Sequence, residues 1–201
     1  MSSQAPGHPS EDFILTDAVR PHFQKNGGIT PMEGYRRGIF TIPETGATIP
    51  VLCIAASREK VFNVFLDLLH QLPEELNIIV ECTDDVGRIT TYVRRSIHRQ
   101  FLETTLCEFE PALVNDGFTG IAIWPDEDPL RELQFDEHKE LFVYNNDLHS
   151  FEQIVQTHGV PYLPILKLIS EGGHSHQTHD GLHARIMKFI ERIDAQHELS
   201  P

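Results

Sequence analysis

TIPVLCIAASREKVFNVFLDLLHQLPEELNIIVEC, residues 48–82, decides how the rest of the chain is read. Thr48–Ala55 is a short apolar run rich in β-branched residues, too brief for a stable helix, and reads as a buried strand. Ser57 is a good N-cap, although Lys60 stands where a capping box would have Glu. Val61, Phe62, Val64, Phe65, Leu68, Leu69 and Leu72 then follow helical spacing until Pro73 stops it. Leu76–Cys82 is a second apolar strand. Strand, helix and strand of these lengths predict a β-α-β crossover with the two strands as parallel neighbours.

Upstream, Gly38–Ile42 is β-rich and Pro43-Glu44-Thr45-Gly46 reads as a turn, which makes a hairpin with Thr48–Ala55. Residues 1–34 read as a partly ordered arm. Its first ten positions are mostly small, polar or Pro, Phe13, Ile14, Leu15 and Val19 can dock on the body, and Asn26-Gly27-Gly28 breaks it. Residues 35–201 form a single globular domain.

Downstream, residues 88–95 (RITTYVRR) fit a strand or a helix start. Ile97 to Val114 has helical spacing, with a kink or restart expected at Glu110 because Pro111 removes a helical hydrogen bond. Thr119–Trp124 is a third apolar strand, and Pro125 to Pro129 an acidic loop. Leu130–Phe135 and Glu140–Tyr144 flank Asp136-Glu137-His138-Lys139 as an antiparallel hairpin. A helix carrying Phe151, Ile154 and Val155 ends at Gly159, a Gly/His loop spans Gly172–Gly181, and a last helix covers Leu182–Ile193. The fold class is α+β: a mixed sheet of five or six strands with helices packed against it.

Composition narrows the function classes. The chain has 201 residues, 40% hydrophobic, with net charge −14. That balance argues against gripping nucleic acid or an anionic membrane through bulk charge. No run approaches the apolar length of a membrane helix, and the N-terminus shows no secretory signal. Cys53, Cys82 and Cys107 form no CxxC, so they read as inert reduced thiols of a cytoplasmic protein. GxGxxG, GxxxxGK[ST] and GxSxG are missing.

Four local signals remain. His174, His176, His179 and His183, with Asp180 among them, form a tract whose imidazoles can bind Zn or Ni, the cofactors this reading implies. No HExxH accompanies them. Residues 103–152 hold thirteen acids against Arg131 and Lys139, while residues 86–102 carry Arg88, Arg94, Arg95 and Arg99 and no acid. Such segregation is a solvated surface or a docking face, either for a partner with a basic surface or across a homo-oligomer. Glu81, Asp84, Asp85, Asp126 and Asp128 lie near strand ends, where ligands often bind and a carboxylate pair can do acid–base work or hold Mg²⁺, although adjacent acids also simply form turns. Cys82 closes a strand without a partner His in its local sequence.

The leading expectation is a non-catalytic, self-associating interaction module. Its contact surface would use Trp124, Asp126, Asp136 and His138, with the Arg131–Tyr144 hairpin as a sheet edge. The alternative is a small metal-binding protein or metal-dependent enzyme built on His174, His176, His179 and His183. A third is an acidic inhibitor that caps a basic nucleic-acid-binding surface.

Overall fold

The computed structural model describes residues 13–22, 30–126 and 131–198. The first ten positions, the Asn26-Gly27-Gly28 break and part of the acidic 125–129 loop, with Asp128, lie outside them.

The expected hairpin is present as β2 (Gly34–Thr41) and β3 (Thr48–Ala55). Helix α1 (Arg58–Leu69) follows, burying the apolar face from Val61 to Leu69. Its N-cap differs from expectation. The Ser57 hydroxyl makes no cap bond; instead buried Glu33 accepts from Ser57 N at 2.9 Å and from Lys60 Nζ at 2.8 Å. Then come β4 (Glu75–Thr83), β5 (Ile89–His98), α2 (Arg99–Asn115), β6 (Thr119–Trp124), β7 (Glu132–Phe135) and β8 (Leu141–Tyr144). The chain continues through α3 (His149–Thr157), a 3-10 turn at Ile169–Glu171, β9 (His174–His176), α4 (Leu182–Arg192) and β10 (Gln196–His197). An early strand, β1 (Val19–Pro21), pairs with β9.

The fold is α+β. The main sheet has eight strands in the order β10-β5-β4-β6-β7-β8-β3-β2, more than the five or six expected, and each pairing in it is antiparallel. One added strand is β5: the ambiguous stretch is extended from Ile89, and the strand runs on to His98, so the helix expected from Ile97 begins at Arg99. The crossover needs a correction. β3 and β4 run in the same direction, as a β-α-β unit requires, but β8, β7 and β6 stand between them. Four inter-strand steps of ~4.8 Å cover roughly 19 Å, and a twelve-residue α1 is about 18 Å long. The helix has the reach to carry the chain that far across the sheet.

Two further expectations change. The Arg131–Tyr144 hairpin is not a sheet edge: β6 pairs with β7 and β3 with β8, which leaves neither strand open. α2 also runs unbroken through Pro111. Tertiary packing of Leu102, Leu106, Phe109 and Leu113 outweighs the lost hydrogen bond.

Strand alternation sorts the two faces. Leu52, Ile54, Ile78, Val80, Ile121, Ile123, Leu133, Phe135, Leu141 and Val143 point into the main core with α1, α2, α3 and α4. On the opposite face, Val51, Cys53 and Ala55 of β3 meet Leu166 and Leu168 in a smaller cluster with Phe13 and Met32 around it. Among the described residues, no helix is long and apolar enough to cross a membrane.

Candidate metal centre

Antiparallel pairing brings several turns to one end of the main sheet. Cys82 of β4 lies opposite Thr119 of β6, and Phe135 of β7 opposite Ile121. That end therefore carries the β4–β5 turn, the α2–β6 loop and the β7–β8 turn. The small β1–β9 sheet closes over it. Gly117 N donates to Gln177 O at 2.8 Å, and Gln177 N donates to Ala18 O at 2.7 Å.

Three histidines meet there. His138 comes from the β7–β8 turn, and His174 and His176 from alternate positions of β9, which places both on one side of that strand. His138 Nε2 lies 3.0 Å from His174 Nε2, which lies 3.2 Å from His176 Nε2. The three rings stand 4.6–5.0 Å apart between centroids.

The other ring nitrogen of each has its own partner. His138 Nδ1 is 2.7 Å from Asp136 Oδ2, His174 Nδ1 is 2.7 Å from Gly172 O, and His176 Nδ1 is 2.5 Å from Gly117 O. A carbonyl or carboxylate oxygen only accepts, so each Nδ1 carries the proton. In the neutral rings all three Nε2 atoms are bare lone pairs, and they point at one another. Three converging lone pairs repel unless a cation sits between them. Tetrahedral zinc with Zn–N of about 2.0–2.1 Å requires N···N separations of about 3.3 Å. The observed spacing is close to that. An Nδ1–H held by a carboxylate or a backbone carbonyl is also the usual outer support of a metal-bound imidazole.

The supporting turn is itself fixed. Asp136 Oδ1 accepts from the backbone N–H of His138 at 3.0 Å and of Glu140 at 2.8 Å. Lys139 adopts a left-handed conformation, φ 64°, and its buried Nζ donates to Thr119 O at 2.7 Å. Burial pushes the Lys139 ammonium down to about 8, with Asp136, Asp116 and Glu137 opposing. Buried Glu140 accepts from Ile169 N at 2.6 Å and Ser170 Oγ at 2.6 Å, tying the turn to the segment that leads into His174. Burial raises the Glu140 carboxyl to about 7, with Asp136 adding to the rise.

The histidines titrate differently. Burial disfavours the charged form of His138, but the hydrogen bond and charge of Asp136 outweigh it and raise its pKa. Burial lowers that of His176, and charge on His138 and His174 lowers it further.

The other residues singled out in the sequence fall elsewhere. His179, Asp180 and His183 are exposed and do not join the three. Trp124 and Asp126 lie at the far end of β6, roughly 17–20 Å away along a six-residue strand. There the Arg95 guanidinium covers the Trp124 ring at 5.6 Å, and Asp126 accepts from Asn77 Nδ2 at 2.6 Å. The expected contact set therefore splits in two, with Trp124 and Asp126 at the far end of β6 and Asp136 and His138 in the β7–β8 turn. Burial raises the Cys82 thiol to about 11 and also lifts Cys53, so neither is an activated nucleophile. Sequence spacing did not connect His138 to the β9 pair, since 36 residues separate it from His174.

Among the described residues, no fourth His, Cys, Asp or Glu joins the three imidazoles. Comparison with protein-family models, with curated proteins and with solved structures returns no match.

Proposed function

We propose that this protein is a metal-dependent enzyme of the hydrolytic type, with a single Zn²⁺ held by Nε2 of His138, His174 and His176. The observation that carries the reading is the convergence of three Nε2 atoms, with His174 Nε2 3.0 Å from that of His138 and 3.2 Å from that of His176, each ring held through Nδ1 by an oxygen. Three nitrogen ligands with no fourth ligand among the described residues favour a catalytic over a structural site, because structural zinc is closed by four. Zinc in such a site lowers the pKa of bound water to about 7 and makes hydroxide available at neutral pH. Asp136 sets the His138 tautomer, and the Gly172 and Gly117 carbonyls set the other two. Ni²⁺ is the competing ion, since imidazole suits both.

The test is native mass spectrometry on untagged protein purified without a metal column, before and after chelation. We expect one zinc per chain, lost on chelation and absent from His138→Ala and His174→Ala, but retained in His179→Ala and His183→Ala. Hydrolysis of an activated ester should follow the metal: lost with chelator, restored by Zn²⁺. Metal-free protein that takes up no added Zn²⁺ or Ni²⁺ refutes the site. Stoichiometric metal without hydrolysis refutes the enzyme and leaves a metal-binding protein.

A second reading, self-association, draws support from a different place than the hairpin. β2 ends the main sheet, and its outer half exposes Ile39 (74%) and Phe40 (42%). An open strand edge with exposed apolar side chains is a template for pairing with another copy. The same mass spectra test this. A dimer that Ile39→Lys converts to monomer supports it, and a monomer at all concentrations refutes it.

A further inference from the structure

Beside the three histidines, on the helix-bearing side of the same sheet end, lies a cleft of about 520 Å³. Its walls are Tyr92 and Thr90 of β5, Phe118 of the α2–β6 loop and Met187 of α4. Three aspartates, Asp84, Asp85 and Asp116, line it, and the imidazole of His183 stands among them. Asp84 is already engaged: it accepts from the backbone N–H of Val86 and Arg88 and pairs with Arg88 Nε at 2.7 Å. Asp116 is different. Its residue is only 2% exposed, yet it lines the cleft. One carboxylate oxygen, Oδ2, accepts from Thr119 Oγ1 at 2.5 Å. The other accepts no hydrogen bond among the described residues. The nearby buried cation, Lys139, spends its Nζ on Thr119 O and makes no ion pair with Asp116. That second oxygen is not sealed off, so a donor on a small molecule in the cleft can reach it.

We propose that the cleft binds a small organic cation: a primary ammonium that donates to Asp116, carried on a flat apolar body held between Tyr92, Phe118 and Met187. Asp85, exposed at the rim, adds attraction for the same charge. This goes beyond the metal reading and does not depend on it. The two places share a wall, since the Phe118 ring lies 5.8 Å from that of His176, but none of the three histidines lines the cleft.

The test is calorimetric titration at neutral pH with phenethylammonium, 2-phenylethanol and phenylacetate, three probes of similar size and different charge, on metal-replete and chelated protein. We expect the ammonium to bind in the millimolar range or tighter, as suits a ligand of about nine heavy atoms. The alcohol should bind at least about tenfold more weakly, and the carboxylate not at all. Asp116→Asn should cost about tenfold in ammonium affinity. Thr90→Trp, which fills the cleft from β5, should abolish it. Because Asp116 is buried, its variant is first checked for folding by circular dichroism, and Thr90→Trp carries the test if it fails. Equal binding of all three probes, no ammonium binding at about 10 mM, or binding that survives Thr90→Trp overturns the proposal. So does ammonium binding undiminished in a folded Asp116→Asn. Ammonium binding that persists in chelated protein separates this site from the metal centre.

Discussion

At the position of Gly117 a single methyl group has nowhere to go. A Cβ there would lie 2.0 Å from Ala18 O and under 3 Å from the Gln177 backbone, and the Gly117 carbonyl is what orients His176. Gly117→Ala therefore forces the β1–β9 sheet away from the α2–β6 loop. We expect it to cost about 1–3 kcal/mol in urea unfolding, as overpacking does, and to weaken zinc binding in a competition titration. A position that touches no ligand atom should thus act on the metal. Asp136→Asn leaves the ligands in place but removes the charge behind His138. Metal affinity should fall by about 10–100-fold, the usual cost of losing an outer-shell carboxylate. Protons compete with the metal for Nε2, so affinity should rise with pH. His138, whose pKa Asp136 raises, holds its proton to higher pH than His176, whose pKa burial lowers, and so extends the rise upward. Zinc affinity that is flat with pH from about 5.5 to 7.5 would contradict this. At this scale the sequence was informative about chemistry and silent about partners. His174 and His176 stand out in a tract, whereas His138 is an ordinary turn residue until the fold sets it against them. Gly117 and Gly172 contribute carbonyls, which no side-chain pattern announces.

Among the elements, those set by local periodicity were legible, and those set by long-range pairing were not. The helical spacing from Val61 to Leu72 marked α1, and the apolar run Thr48–Ala55 marked β3. RITTYVRR was ambiguous because its extended form depends on β4, with which β5 pairs from Ile89 to His98. The order of the sheet was hidden for the same reason: nothing in β3 or β4 records that three strands stand between them. Pro111 shows how packing overrides a local rule. Its ring removes the hydrogen bond to the Cys107 carbonyl, yet the residue is exposed and the helix continues. Pro111→Ala should restore that bond and stabilise the protein by about 1–3 kcal/mol in chemical denaturation. A destabilised variant would mean that the proline is needed for the shape of α2. The open sheet face offers a pH test. Burial, with Glu81 facing it, raises the pKa of Glu132, while Gln134 opposes. A carboxyl raised in the folded state contributes stability below its unfolded pKa, and that contribution is lost as pH rises through the folded value. Glu132→Gln should therefore raise the thermal midpoint at pH 8 and leave it nearly unchanged at pH 4.

Across the whole molecule, the proposed metal joins parts that are otherwise held by few contacts. His138 belongs to the main sheet, and His174 and His176 to a two-stranded sheet of three-residue strands. An isolated two-stranded pair is marginal in water. Here it is secured by the Gly117–Gln177–Ala18 hydrogen bonds, by the buried side chains of Ala18 and Val19, and by the Glu140 anchor at Ile169 and Ser170. Zinc bound to all three histidines adds a tie between this layer and the β7–β8 turn. Any ligand that binds only the folded state stabilises it by RT ln(1 + [L]/Kd), about 4 kcal/mol at a thousandfold excess over Kd. That gain should appear where the ligands are. Hydrogen exchange on chelated protein should show faster exchange at Val19–Pro21 and at His174–Gln177, with α1 and the central strands β4 and β6 unchanged. Zinc should restore the protection in the wild type and leave it low in His138→Ala, whose β9 histidines are intact but have nothing on the main sheet to be tied to. Protection that rises equally throughout the chain would mean that metal acts on global unfolding alone. Protection that returns in His138→Ala would mean that the β9 pair binds metal by itself, and that the main sheet is not part of the site.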